Sequence, residues 1–116
     1  MESVDSLAHP RPDLLRDVLT EMKQALRLLY GPRLKQVILY GSWARGDASD
    51  DSDIDVAVVL EGDVSPTLEI DRTAGVVFDL NLKHGVLLSI YPVSESEYRN
   101  VVSPLLLNLR REGVPA

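Results

Sequence analysis

The stretch Asp53–Leu60, DIDVAVVL, constrains the fold more than any other part of the chain. Two acids flank a single isoleucine, and from Val56 to Leu60 every residue is apolar. Polar alternation that turns into a continuous apolar run predicts a strand entering a core. Leu34–Tyr40, β-branched at its centre and ended by Gly41, predicts a second strand. Upstream, Leu15, Val18, Leu19, Met22, Leu26 and Leu29 recur at helical spacing across Asp13–Tyr30, with Pro12 opening the helix and Gly31-Pro32 stopping it.

Downstream, Ser65-Pro66 is a cap followed by proline at the first helical position. The helix it opens is expected to bury Ile70, Ala74, Val77, Phe78 and Leu82 and to end at Gly85, where His84 is expected to cap the last carbonyls. Val86–Val93 predicts a third strand. Ser94 with Glu97 forms a capping box for a last helix that Pro104 interrupts, LLLNLRRE resumes and Gly113 closes. A stripe through Leu105, Leu106 and Leu109 is expected to be core. The order α-β-β-α-β-α predicts a small α/β (α+β) domain, one mixed sheet of at least three strands flanked by helices. A chain of 116 residues is about one such domain, spanning 1–116, with residues 1–12 expected to be a flexible tail in which His9 has no role.

Charge narrows the function. Asp and Glu outnumber Lys and Arg 18 to 12, and a net charge of −6 argues against general nucleic-acid binding, which draws on many cations. No apolar run approaches the ~20 residues that cross a bilayer. The N-terminus has no basic stretch followed by an apolar one. With no cysteine there is no disulfide or thiolate metal site. A cytoplasmic protein is expected.

The acids are focused. Asp47, Asp50, Asp51, Asp53 and Asp55 all fall in DASDDSDID, directly after GSWARG. Gly41 lets the backbone turn with no Cβ in the way, and Ser42 suits the N-cap of a short helical turn through Trp43, Ala44 and Arg45. The first amides of such a turn can meet a phosphate, with the Ser42 hydroxyl and the Arg45 guanidinium as added donors. Arg45 could equally pair with the nearby aspartates, and Trp43 could stack or pack. Asp53 and Asp55, two apart on a strand, project from one face about 7 Å apart along the chain. That arrangement suits carboxylates sharing Mg²⁺ with the phosphates of a nucleotide. A calcium loop is set aside, because Ser52 stands where its glycine belongs and Val58 where its glutamate belongs.

Gly-Ser, ten intervening residues and Asp-x-Asp before an apolar run resemble the DNA polymerase β-like nucleotidyltransferases, with Gly41, Ser42, Asp53 and Asp55 carrying the match. The short chain and a terminal helix followed by EGV resemble the minimal nucleotidyltransferase (MNT) branch, encoded beside HEPN-domain toxins. The resemblance runs from Leu34 to about Val114. It implies that Gly41 and Ser42 contact a nucleoside triphosphate and that Asp53 and Asp55 hold two Mg²⁺ ions. It also implies transfer of a nucleoside monophosphate from ATP or another NTP to a hydroxyl on a HEPN-type partner. The family's third carboxylate would fall at Ser89, or at Tyr91, neither of which is an acid. Asp71 and Asp79, the nearest acids, belong to the predicted helix. A second expectation follows, a catalytically weak nucleotide-binding module that acts as an antitoxin by forming a complex. A homo-oligomer is compatible with either.

Overall fold

The computed structural model describes residues 12–49 and 51–116, so all of the expected tail but Pro12, which is helical, lies outside the described residues, as do His9 and Asp50. Helix α1 spans Pro12–Tyr30 and ends in a 3₁₀ turn at Gly31–Arg33, as Gly31-Pro32 dictates. Strand β1 (Leu34–Tyr40) leads through Gly41 into a short helix α2 (Ser42–Arg45). Strand β2 (Ile54–Leu60), helix α3 (Pro66–His84) and strand β3 (Leu88–Ser94) form the next unit. Helices α4 (Glu95–Asn100) and α5 (Pro104–Glu112) follow, then a two-residue strand β4 (Val114–Pro115). The expected mixed α/β architecture is present, with four strands in the order β3-β2-β1-β4. β1 runs antiparallel to β2 and β4, whereas β2 and β3 are parallel and joined across α3.

β2 is internal and covered on both sides, which is why its sequence is a continuous apolar run. One sheet face presents Val37, Leu39, Val56 and Val58 to a core with Val18, Met22 and Leu26 of α1 and Leu80 of α3. The other presents Ile38, Ala57, Val59 and Val93 to Leu106 and Leu109 of α5. Leu106 and Leu109 are core, as expected, while Leu105 is exposed. Gly113 closes α5 for lack of room rather than for conformation: its φ is −67°, and a Cβ there would meet Ile38 Cγ2 and the Leu109 carbonyl oxygen, each at 2.5 Å.

Several expectations need correction. β2 begins at Ile54, not Asp53, because the Tyr40↔Asp55 pair is the last rung with β1 and Ile54 N–H turns to the Leu87 carbonyl (2.8 Å). β3 begins at Leu88 rather than Val86. Asn81 holds the preceding turn, its backbone carbonyl accepting from Gly85 and Val86 and its side-chain oxygen from Leu88 N–H (2.9 Å). The last helix is two helices, with 101–103 extended between them. His84 does not cap carbonyls; its Nε2 lies 3.1 Å from Glu21 of α1.

The largest correction concerns α3. Of the expected stripe only Val77 packs on the core; Ile70, Ala74, Phe78 and Leu82 face solvent, and the helix buries Glu69, Thr73 and Leu80 instead. A carboxylate can occupy that buried stripe because Tyr30 OH donates to Glu69 Oε1 at 2.7 Å and Arg72 Nη1 lies 3.2 Å from the same oxygen. Thr73 Oγ1 donates back to the Glu69 carbonyl (2.8 Å). The Tyr30–Glu69 bond lets an acid sit on this inward side of α3, beside the apolar Val76, Val77 and Leu80.

Burial, and then the bond to Glu69, raise the Tyr30 phenol well above its ordinary pKa. A raised folded-state pKa contributes stability that is complete below the ordinary value of 10.0 and is lost as pH climbs above it. Tyr30→Phe is expected to destabilise the fold by about 1–3 kcal/mol at neutral pH in urea titrations, because Glu69 loses its neutral donor. The variant should also lose less stability than the wild type as pH rises beyond the phenol range.

Candidate active site

The register of β1 on β2 places Tyr40 opposite Asp55, and β3 places Ser89 opposite Asp55 on the other side. Paired residues share a sheet face, so Tyr40, Asp55 and Ser89 form one rung on the face that α5 covers further along. The next rung, Ile38, Ala57 and Tyr91, belongs to the apolar cluster beneath it. Asp55 is half-buried and Asp53 is exposed just before the strand.

Gly41 has φ 76° and ψ −156°, a combination essentially restricted to glycine. A Cβ there would overlap the Asp55 carboxylate. The dipeptide's first residue is therefore glycine for two reasons, the turn and the close approach. The structure corrects the capping assignment: Gly41 is the N-cap of α2, and Ser42 is its first helical residue. The Gly41 carbonyl accepts from Ala44 (3.1 Å) and Arg45 (3.0 Å), and the Ser42 carbonyl accepts from Gly46 (3.0 Å) and Asp47 (3.1 Å). Gly46, left-handed at φ 85°, ends the turn.

The loop between α2 and β2 is anchored from inside. Trp43 is buried and donates its indole N–H to the Ser52 carbonyl at 3.3 Å. Ser52 Oγ accepts from Ser49 N–H at 2.9 Å. Of the two roles left open for Trp43, packing is the one seen. Arg45 lies 3.3 Å from Asp47 and 3.7 Å from Glu112 at the end of α5. Both contacts are solvent-exposed and contribute little to stability, so a phosphate can compete for the guanidinium. Asp71 and Asp79 are exposed on α3.

Negative charge concentrates at the site. Burial raises the Asp55 pKa, the neighbouring Asp53 charge raises it further, and Arg45 partly opposes both. Tyr40 is pushed up to about 12, first by burial, then by Asp55, then by Tyr91. Among the described residues, no group of three or more His, Asp or Glu side chains gathers into a metal cage. Two adjacent repelling carboxylates nonetheless fit a hard divalent ion that completes its shell with water and phosphate oxygens. Sequence reasoning missed Tyr40 and Glu112 as neighbours of the site. Tyr40's place directly before Gly41 was a usable signal for the first, and nothing local marked the second.

A strand ending in Gly-Ser, a one-turn helix and a neighbouring strand led by paired acids define a nucleotidyltransferase fold, and the chain belongs to the nucleotidyltransferase domain family, whose model matches residues 16–104. Among its relatives is the Methanocaldococcus jannaschii protein named "Putative protein adenylyltransferase MJ0604", 36% identical over 83 residues, which cover 72% of this chain and 77% of that protein. A second from the same organism, "Putative protein adenylyltransferase MJ0141", is 32% identical over 63% of this chain and 73% of its own length. Solved structures share the fold. A Sulfolobus solfataricus protein named as a "putative nucleotidyltransferase" superposes with TM-score 0.60 at 20% identity, covering 97% of this chain and 85% of that one. A chain from a toxin–antitoxin structure with AMP-PNP gives 0.57 at 18%, covering 81% and 68%. No helix among the described residues is long and apolar enough to cross a membrane.

Asp55→Asn is expected to raise the melting temperature at neutral pH in the absence of ligand. The sign follows from the raised pKa: the folded state disfavours the ionised carboxylate, so the penalty is full above the folded-state pKa. It shrinks as pH falls through that value and is gone below the ordinary 3.8. The melting temperatures of variant and wild type should therefore converge on acidification.

Proposed function

We propose that the chain transfers a nucleoside monophosphate from ATP, or another NTP, to a hydroxyl on a protein partner of the HEPN toxin type, with Mg²⁺ held by Asp53 and Asp55. The observation that carries this reading is the Asp55 carboxylate set against Gly41, where one acid meets the head of the Gly-Ser turn and Asp53 repels it. Ser42 and the first amides of α2 would bind phosphate oxygens, and Arg45 would exchange Asp47 and Glu112 for the same anion. Bound magnesium supplies neutralisation of the triphosphate and a lowered pKa for the acceptor hydroxyl. The acceptor hydroxyl gives up its proton to solvent as its oxygen forms a bond to the α-phosphorus, the bond from that phosphorus to the α–β bridging oxygen breaks, and pyrophosphate leaves. Relatives named as protein adenylyltransferases support a protein acceptor, and the toxin–antitoxin neighbour supports a partner that brings it. A domain this small has little surface for an acceptor module of its own. Function in the cytoplasm, where ATP is plentiful, belongs to the same proposal.

One observation favours a second reading. Ser89, not an acid, stands opposite Asp55, and a neutral hydroxyl is a far weaker metal ligand than a carboxylate. The chain would then bind Mg-NTP, transfer slowly, and neutralise its partner mainly by complex formation.

Mg-ATP is expected to stabilise the wild type by about 2.7 kcal/mol at a hundredfold excess over Kd, and Asp53→Asn with Asp55→Asn should abolish the magnesium-dependent part in thermal shift assays. Ser42→Ala should weaken triphosphate binding by roughly 1–2 kcal/mol in calorimetry. Incorporation of α-labelled ATP into a co-expressed partner decides between the readings. Transfer that Asp55→Asn abolishes and Ser89→Asp raises is expected for the enzyme. Absence of transfer in both wild type and Ser89→Asp, with partner binding intact, identifies the binding module.

A further inference from the structure

Among the described residues no element covers the outward face of α3, and we infer that it is the interface of an antiparallel, two-fold symmetric dimer of this chain. Leu68, Ile70, Phe78 and Leu82 of this helix, with Leu87 just beyond it, are 59%, 53%, 63%, 70% and 62% exposed. These five side chains alone leave on the order of 600 Å² of apolar surface in water, at the upper end of what the largest patch on a monomer shows. A standard interface buries about 800 Å² per partner, a little over half of it apolar, so these side chains carry the apolar share of one.

The pattern fits a second copy of itself. Ile70, Ala74, Phe78 and Leu82 step by four along the helix and are symmetric about residue 76. In an antiparallel pair, Ile70 packs on Leu82 of the second copy and Phe78 on its Ala74, large on large at the ends and large on small at the centre, over about 18 Å of helix. Gly75 supports close approach. A Cβ there would meet nothing within 4 Å, so nothing inside the subunit requires a glycine that costs helix stability. Charge agrees as well. The same pairing brings Arg72 beside Asp79 of the second copy on one flank, twice by symmetry. Asp71, next to the stripe, comes level with Asn81, a neutral side chain whose oxygen is engaged by Leu88 N–H. None of this involves the nucleotide chemistry.

Sedimentation equilibrium of the full chain tests the assignment, with Phe78→Asp, Leu28→Asp as an exposed apolar control on α1, and cysteine pairs in a chain that has no cysteine of its own. The wild type should be a dimer in the micromolar range. Phe78→Asp should raise the dissociation constant at least about tenfold, and Leu28→Asp should leave it unchanged. A mixture of Ile70→Cys and Leu82→Cys chains should cross-link with a short bis-maleimide far better than either alone. A monomeric wild type, a dimer indifferent to Phe78→Asp, or a face protected only on adding a different protein would overturn the proposal.

Discussion

The approach of the Asp55 carboxylate to the Gly41 backbone is the contact on which the remaining geometry of the site depends. It exists because β1 and β2 pair antiparallel with Tyr40 opposite Asp55, so that the strand after the turn returns its acid to the turn itself. Only a residue without a Cβ can stand there, and only glycine takes the backbone angles that send the chain into α2. A larger residue would push Asp55 off its rung, and with it the alignment to Ser89 across β3. The half-buried acid is destabilising until something positive arrives. That is a local conflict of the sort expected where a protein keeps a site for a ligand.

A scaffold must tolerate that conflict, and the two apolar clusters provide it. β2 is buried on both faces for its whole length beyond Asp55, so the acid is anchored to the most rigid strand of the molecule. The loop from α2 back to β2 closes on itself through Trp43, Ser49 and Ser52. On the far side of the sheet, the hydrogen bonds among Tyr30, Glu69 and Arg72 let an acid sit on the inward side of α3. The consequence is an apolar stripe turned outward, which ties the interior polar network to the surface available for association.

Local chemistry made much of this legible in the amino-acid sequence. Leu34–Tyr40 ends where Gly41 says it should, α1 stops at Gly31-Pro32, and Ser94 with Glu97 caps α4. Gly41, Ser42, Asp53 and Asp55 were recognisable as a group because turn glycine, hydroxyl and paired acids are chemically unusual at the mouth of an apolar strand. The reading of α3 failed for a physical reason. Periodicity reports where apolar residues lie on a helix and carries no information about which face meets the core when a buried acid finds its donor on another helix, as Glu69 does in Tyr30. β4 escaped notice because two residues carry no period, and their pairing with Ile38 and Leu39 exists only once Gly113 packs against the sheet.

Determined by the sequence alone were the long helices, the first three strands and their order, and the clustering of turn glycine, hydroxyl and paired acids, all of them consequences of interactions between neighbours a few positions apart. Tertiary structure alone decided the rest. It set the Tyr40–Asp55–Ser89 rung, placed Glu112 beside Arg45, paired His84 with Glu21 and chose the face that α3 buries. Each of these joins residues far apart in the chain, and such contacts are fixed by strand register and by the pairing of buried polar groups, which no local pattern encodes.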